Sequence, residues 1–389
     1  MIIISNKEDC CGCEACAQRC PRQCITMLED EEGFLYPHIN TDLCIDCCLC
    51  EKVCPVINQN ESREPLEVYA AKNLNEEIRL ESSSGGIFSI LAENTIEQGG
   101  VVFGARWNEQ WEVVHDFTET KEGLSAFKSS KYLQSRIGNC FKQVEIFLKQ
   151  GRPVLFTGTP CQIAGLKKFL RKEYDNLLAV EVFCHSVPSP GIWKIYLKEV
   201  LQNIKWNKTD IASINFRDKR KSWKNYHFVM QHRNGDVFDE KASKNPFMRG
   251  FLKNLYTRPS CYACPAKALK SCSDITMGDY WGIEILRPKL DDDKGISAVV
   301  VNTTKGQIAL DRTKAEILPM NYKQLCQYNP ALLHSSHWHQ KRDEFYSQIH
   351  LSFFQKIEIF CRTSVKSRVK AKVVYVLRKY FRQLTDTKD

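Results

Sequence analysis

Hydrophobic positions along the chain change their rhythm in blocks. Cys24-Ile-Thr-Met-Leu28 and Gly33-Phe-Leu-Tyr-Pro37 alternate apolar and polar residues around the acidic run Glu29 to Glu32, which predicts two short strands joined by a turn. That turn is best read as solvated, with a basic partner as the alternative. Residues Asn58 to Pro65 are polar and end in proline, the mark of a boundary. Beyond it, strand-like apolar runs (Val68–Ala71, Gly100–Gly104, Pro153–Phe156, Leu178–Phe183) alternate with segments of helical period (Gly86–Glu97, Cys140–Gln150, Gln162–Glu173, Ile192–Ile204). This alternation predicts a mixed α/β body. Near the end, Val365, Val369, Val373, Val376, Tyr380 and Leu384 form an apolar stripe edged by lysine and arginine.

Composition adds one decisive fact. The 389 residues, 43% hydrophobic and 26% charged, suit an ordinary globular chain of two or three domains. No apolar run is long enough to span a membrane, and Met1 to Ile4 is too short for a secretory core, so a cytoplasmic location with reduced thiols is expected. Yet there are nineteen cysteines, eleven of them between Cys10 and Cys54, so those eleven serve a local chemistry.

That chemistry is legible in the spacing. Cys10, Cys13, Cys16 and Cys20 follow C-x2-C-x2-C-x3-C with Pro21 behind; Cys44, Cys47, Cys50, Cys54 and Pro55 repeat it. Three thiolates two residues apart can wrap one face of an iron–sulfur cubane, while the fourth, on a short helix opened by the proline, reaches the other cluster. Cys10, Cys13, Cys16 and Cys54 are therefore assigned to one [4Fe–4S] cluster, and Cys44, Cys47, Cys50 and Cys20 to a second. Zinc sites have no use for a crossed C-P pattern twice over. Cys11, Cys24 and Cys48 are read as packing beside the clusters.

The body offers three further constellations. Ser82-Ser-Ser-Gly-Gly86 leads into a helical segment and suits either a phosphate or a plain helix cap. Lys128-Ser-Ser-Lys-Tyr-Leu-Gln134 offers cations, hydroxyls and a ring, for a pyrophosphate and ring system or simply an exposed loop. Cys161 between a strand and a helix, Cys184 at the end of the next strand, and Cys261 and Cys264 in a later loop could converge on a third cluster, because strand ends on one sheet edge meet in space. Buried free cysteines are the competing reading, Cys272 is a rival ligand, and Cys140, Cys326 and Cys361 read as packing residues.

Taken together, Ser84-Gly-Gly86, Lys128-Ser-Ser-Lys-Tyr132, Gly158-Thr-Pro-Cys-Gln162, Cys184-His185, Cys261-Tyr-Ala-Cys-Pro265 and Ser273-Asp-Ile-Thr-Met-Gly-Asp-Tyr-Trp-Gly282 resemble, in number and order, the family of coenzyme F420 hydrogenase/dehydrogenase beta subunits, in its version with a fused N-terminal ferredoxin domain. Ser186 stands where members often carry glycine. The resemblance covers about residues 1–320. It implies FAD held by Ser84, Gly85, Gly86, Lys128, Lys131, Tyr132 and Gln134, and a third [4Fe–4S] cluster on Cys161, Cys184, Cys261 and Cys264. No side chain is assigned as a nucleophile or acid–base catalyst; Asp274 and Asp279 either orient a ligand or brace a turn.

The expected fold is α+β: a bacterial-type dicluster ferredoxin domain (1–60), a mixed α/β flavin-binding body in two segments (66–150 and 151–320) and a basic helical extension (321–389). A chain starting near Glu67 is expected to fold without the ferredoxin domain. The expected function is a flavin-dependent iron–sulfur oxidoreductase moving electrons between a hydride carrier, FAD and clusters, with a non-catalytic electron relay as the alternative. Partners are a redox protein or a small hydride carrier, not nucleic acid, since no binding module accompanies the charge. Between Arg362 and Arg382 stand eight basic and no acidic residues against a net charge of +9, which suits either peripheral contact with the inner face of a membrane or a helix docked on its own domain with a solvated basic face.

Overall fold

The computed structural model describes residues 1–362. The basic amphipathic stripe from Val365 to Leu384, and the membrane contact read from it, lie outside the described residues. Among those described, no helix is long and apolar enough to cross a membrane.

The cysteine-rich N-terminus holds helix α1 (Ala15–Arg19), strands β1 (Ile25–Glu29) and β2 (Leu35–Ile39), and helix α2 (Leu49–Lys52). The two strands pair antiparallel from Ile25↔Ile39 to Glu29↔Leu35, as the alternation predicts. One local expectation is corrected. The short helices precede the fourth cysteines and are not opened by the prolines: each starts at a left-handed residue, Glu14 (φ 61°) or Cys48 (φ 53°). The first ends at Cys20, whose ψ of 117° is the extended geometry that a following proline enforces.

The body is built on an eight-stranded mixed sheet. In chain order it contains β3 (Glu67–Asn73), β4 (Val101–Trp107), β5 (Val113–Thr118), β6 (Val154–Gly158) and β7 (Leu177–Val182). After an excursion of three antiparallel strands, β8 (Ile211–Asp218), β9 (His227–His232) and β10 (Val237–Lys241), the chain returns with β11 (Ile275–Asp279), β12 (Ser297–Val301) and β13 (Ala315–Pro319). The order is β13-β3-β12-β11-β7-β6-β4-β5. Strands β4, β6, β7 and β11 run parallel at its centre. β6 and β12 are buried along their whole length, as strands covered on both faces must be. Helices α3 (Glu76–Glu81), α4 (Ile87–Glu97), α5 (Cys140–Lys149), α6 (Pro160–Leu170) and α7 (Pro190–Ile204) fill the connections. The last four fall on the segments of helical period.

The polar linker separates the two regions in sequence but not in space. The first turn of α5 has no cap from its own Asn139; the Gln18 carboxamide accepts from the N–H groups of Phe141 (3.0 Å) and Lys142 (3.3 Å). Glu14 accepts from Ile137 (2.7 Å) and Gly138 (3.1 Å). The acidic turn leaves Glu29 and Glu31 exposed to solvent, as expected, yet its carboxylates also meet cations of this chain. Asp30 pairs with Lys7 at 2.8 Å, Glu29 with Arg136 at 2.9 Å, and buried Glu32 with buried Arg342. A chain starting near Glu67 would leave these body groups without their N-terminal partners.

Close approach at this seam depends on Gly33. Its φ of +87° is left-handed, and a Cβ there would fall on the backbone of Gly191 at the start of α7. Gly33→Ala is expected to lower stability by about 1–3 kcal/mol, read as an earlier urea midpoint with an unchanged slope.

The described residues of the C-terminal segment pack back onto the body. Phe353–Phe360 is a helix whose Phe353, Ile357 and Phe360 join the aromatic core around Trp193 and Tyr196.

Candidate functional site

The carboxyl ends of β6 and β7 present two of the body cysteines. Thr159 caps α6 in a capping box with Gln162, and Pro160 fills the first helical position, so the helix starts directly behind β6 with Cys161 on its first turn. Cys184 follows the end of β7, and a 3-10 turn over Pro259–Ala263 brings Cys261, with Cys264 at its end. The four converge: Cys261 feels the charge of Cys184, Cys264 and Cys161, and Cys264 that of Cys161. Burial pushes the Cys184 thiol up to about 12 and Cys264 to about 11. Cys161 is raised first by a hydrogen bond with Cys11 and then by burial. Unassisted, such thiols stay neutral; a coordinated metal would hold them as thiolates. Cys272 is not a member of the set, its thiol turning to the Lys270 carbonyl at 3.8 Å.

Neighbouring groups fix this arrangement. Thr159 Oγ1 lies 3.3 Å from Cys161 Sγ, and Ser335 Oγ accepts from the Cys264 N–H at 2.9 Å. Lys267 Nζ donates to the carbonyls of Cys184 and Ala331. Ser186 bonds Thr257 (3.2 Å) without a left-handed φ, so serine takes the place of glycine there without strain. Sequence reasoning missed Lys267 and Ser335. The first lies three residues after Cys264; the second lies in the segment beyond the motifs.

The N-terminal cysteines lie close enough to act on one another, and Cys50 is felt by both Cys16 and Cys54. Cys16 lies in the field of Cys10 and Cys54, Cys13 in that of Cys16 and Cys54, and Cys54 in that of Cys10. Cys20, Cys44, Cys47 and Cys50 line one small cavity beside Cys24 and Cys48. Ile2 N–H points at Cys50 Sγ (3.4 Å). The Cys10 loop abuts the body set: Cys11 bonds Cys161, and a Cβ on Gly165 of α6 would come within 2.9 Å of Cys13 Sγ. Among the described residues no three His, Cys, Asp or Glu groups close on a single metal ion.

Above the body cysteines opens a cleft of about 1000 Å³. Ser84, Gly86, Lys128, Lys131 and Tyr132 line it, and so do Cys184 and His185. Gly85 is not in the wall; it sits tight on the sheet, its N–H donating to Ser297 Oγ at 3.0 Å. Gln134 also faces elsewhere, its amide donating to the Cys11 carbonyl at 3.0 Å and accepting from Arg258 at 2.9 Å. Ser83 Oγ accepts from Ser130 N–H (2.7 Å), tying the two polar loops together beside the start of α4. Burial lowers Lys131 to about 7, its ammonium resting on the carbonyls of Lys128 (2.8 Å) and Ser129 (3.2 Å). Burial and then Arg79 lower Lys219, which donates to the Ser84 carbonyl, to about 7 as well. Asp279 pairs with Arg217 at 2.9 Å and accepts from Trp223 at 3.0 Å on the cleft wall. Asp274 instead braces the sheet through Ala179 N–H at 2.8 Å. Buried His115, lowered by desolvation to about 4, is neutral and held between Ser135 (2.8 Å) and the Thr157 carbonyl (2.9 Å).

Residues 151–320 match the family described as the C terminus of the beta subunit of coenzyme F420 hydrogenase/dehydrogenase. The chain is 24% identical over 222 residues to the F subunit of the F(420)H(2) dehydrogenase of Methanosarcina mazei, a match covering 51% of this chain and 62% of the relative. It is 43% identical over 51 residues to a protein named Ferredoxin 7Fe of Hydrogenibacillus schlegelii, covering 13% of this chain and 59% of the relative. The matches thus span about three fifths of these curated relatives. A chain of the F420-reducing [NiFe] hydrogenase complex from Methanosarcina barkeri aligns with TM-score 0.45 at 17% identity, covering 69% of this chain and 90% of that one.

Proposed function

We propose that this chain, a member of the family of coenzyme F420 hydrogenase/dehydrogenase beta subunits, is an iron–sulfur flavoprotein. It would carry electrons between a small hydride carrier in the cleft and a redox partner protein, by way of three [4Fe–4S] clusters. The observation that carries this reading is continuity. Cys184 belongs at once to the cleft wall and to the body cysteine set, and Cys161 of that set touches Cys11 in the N-terminal loop.

The residues fit the groups. Twelve cysteines would supply three sets of four thiols, the donor chemistry of [4Fe–4S] clusters, and their clustering supports this. Fully buried Arg258 faces thiols and carbonyls with no carboxylate partner, a cation that a negatively charged cluster would balance. The cleft has the volume of a large-ligand site. Its Ser82–Gly86 loop opens the eleven-residue helix α4 beside the Lys131 ammonium on the cleft wall, which suits a dinucleotide phosphate. A flavin there would supply the exchange between two-electron hydride chemistry and one-electron transfer. The protein's own role is to hold and orient: Lys131 would neutralise phosphate, Lys219 braces the Ser84 carbonyl from behind, and Arg217, fixed by Asp279, lines the wall.

Anaerobic purification followed by an optical spectrum, iron analysis and flavin extraction tests this. Flavin with iron for three clusters is expected; full iron without flavin would leave an electron relay, and no iron would end the reading.

Phosphate binding at Lys131 predicts a pH signature. Its pKa in the ligand-free protein is about 7, so the ammonium is lost as pH rises through 7, and flavin affinity should fall in the same range. The unfolded chain keeps this proton up to 10.5, so the ligand-free protein should gain stability from pH 7 towards 10.5. Lys131→Met is expected to weaken flavin retention about tenfold at pH 6, the worth of a charged hydrogen bond, and to flatten the pH profile. Equilibrium dialysis at several pH values measures both.

A further inference from the structure

Arg258 is the most enclosed cation at the seam between the two cysteine-bearing regions, with 0% of its surface exposed. Nε donates to the Cys10 carbonyl at 2.8 Å, Nη1 to Gln134 Oε1 at 2.9 Å, and Nη2 to the Leu35 carbonyl at 2.9 Å. Nη2 also points at Cys10 Sγ, 3.6 Å away. The rings of Tyr36 and Phe34 lie 4.5 and 5.3 Å from the guanidinium carbon. Glu14 feels its charge, but that carboxylate is committed to the N–H groups of Ile137 and Gly138. The charge of Arg258 is therefore directed at thiols: Cys10 by contact, and Cys11, Cys161 and Cys261 through its field. Cys261 lies three residues on, so one guanidinium addresses a thiol from each of two cysteine sets.

We propose that Arg258 is a fixed counter-charge and positioning residue that raises the reduction potential of the cluster held by Cys10, Cys13, Cys16 and Cys54. The inference rests on the iron–sulfur reading above. Reducing a cluster adds one negative charge, and a permanent cation hydrogen-bonded to a ligand sulfur favours the reduced form. Burial makes the effect large, since little water or salt screens it. Cys161 and Cys261 are met only through the field, with no contact to either sulfur, so the body cluster should shift less than the Cys10 cluster. The cavity lined by Cys20, Cys44, Cys47 and Cys50 does not include Arg258, so that cluster serves as internal reference.

The test is an EPR-monitored redox titration of the anaerobically purified full chain as parent, Arg258→Met, Arg258→Gln and Arg258→Lys. The neutral variants should shift the Cys10 cluster to a more negative potential by a factor of ten or more in its one-electron equilibrium, about 59 mV. The Cys44 cluster should not move. Arg258→Lys, which keeps the charge and loses the fork, should stay near the parent. An unshifted Arg258→Met, or a lysine variant shifted as far as methionine, overturns the proposal. If the neutral variants lose the Cys10 cluster while lysine keeps it, the counter-charge role stands; loss in all three assigns Arg258 a shape role only. A parent without cluster signals would instead fail the iron–sulfur reading, before any Arg258 variant is compared.

Discussion

Cys184→Ser is expected to strip the body of its cluster while both N-terminal clusters assemble, because Cys184 is one of four mutually adjacent thiols at the carboxyl edge of β6 and β7. Changing groups that merely orient metal ligands already costs about 10–100-fold in metal affinity, so loss of a ligand should cost about 100-fold or more. Iron content should fall by one cluster, and reduction of the N-terminal clusters from the cleft side should cease, since Cys184 forms the boundary between cleft and cysteine set. Cys272→Ser is the control and should keep all its iron, its thiol being turned to the Lys270 carbonyl. Full iron in the Cys184 variant, or a loss in the Cys272 variant, would reverse the assignment.

The largest stability effect is expected at the pair joining the acidic turn to the C-terminal segment. Arg342 and Glu32 form a two-pronged ion pair, one limb from Nη1 to Oε1 at 2.7 Å, with 3% and 8% of the residues exposed. Arg342 also donates to the Thr257 carbonyl at 3.1 Å, beside the turn that carries Cys261. Removing one partner leaves a bare buried charge, and Arg342→Met should cost about 3–5 kcal/mol. Replacing both, as Glu32→Leu with Arg342→Met, should cost much less, because no charge is then stranded. Urea unfolding of the two single variants and the double variant closes the cycle. A loss under about 1 kcal/mol in the Arg342 variant would mean that the pair behaves as a surface bridge and does not hold the seam. Salt should change little, as buried pairs are poorly screened.

What could be read in advance follows from the range of each signal. Helical and strand periods repeat within a few residues, so α4 to α7 and strands β1 to β4, β6 and β7 were legible. The three-stranded excursion β8 to β10 was not, its partly exposed strands lacking a continuous apolar run. Ser84, Gly86, Lys128, Lys131 and Tyr132 were legible as motif residues and do share the cleft. Gly85 and Gln134 belong to the same motifs but answer to other neighbours, which spacing cannot reveal.

The sequence by itself carried the case for iron–sulfur chemistry, because ligand spacing is a property of a few adjacent residues. It also determined the succession of strands and helices that delivers Cys161 and Cys184 to strand ends. Only the tertiary structure decided that the regions on either side of the polar linker share polar contacts, that carboxylates of the acidic turn meet Lys7, Arg136, Lys194 and Arg342, and that Arg258 reaches Cys10 across 248 residues. The reason is that a charge or an orphan N–H carries no local period. Its partner is settled by burial, which obliges each enclosed polar group to find whatever the fold brings within reach.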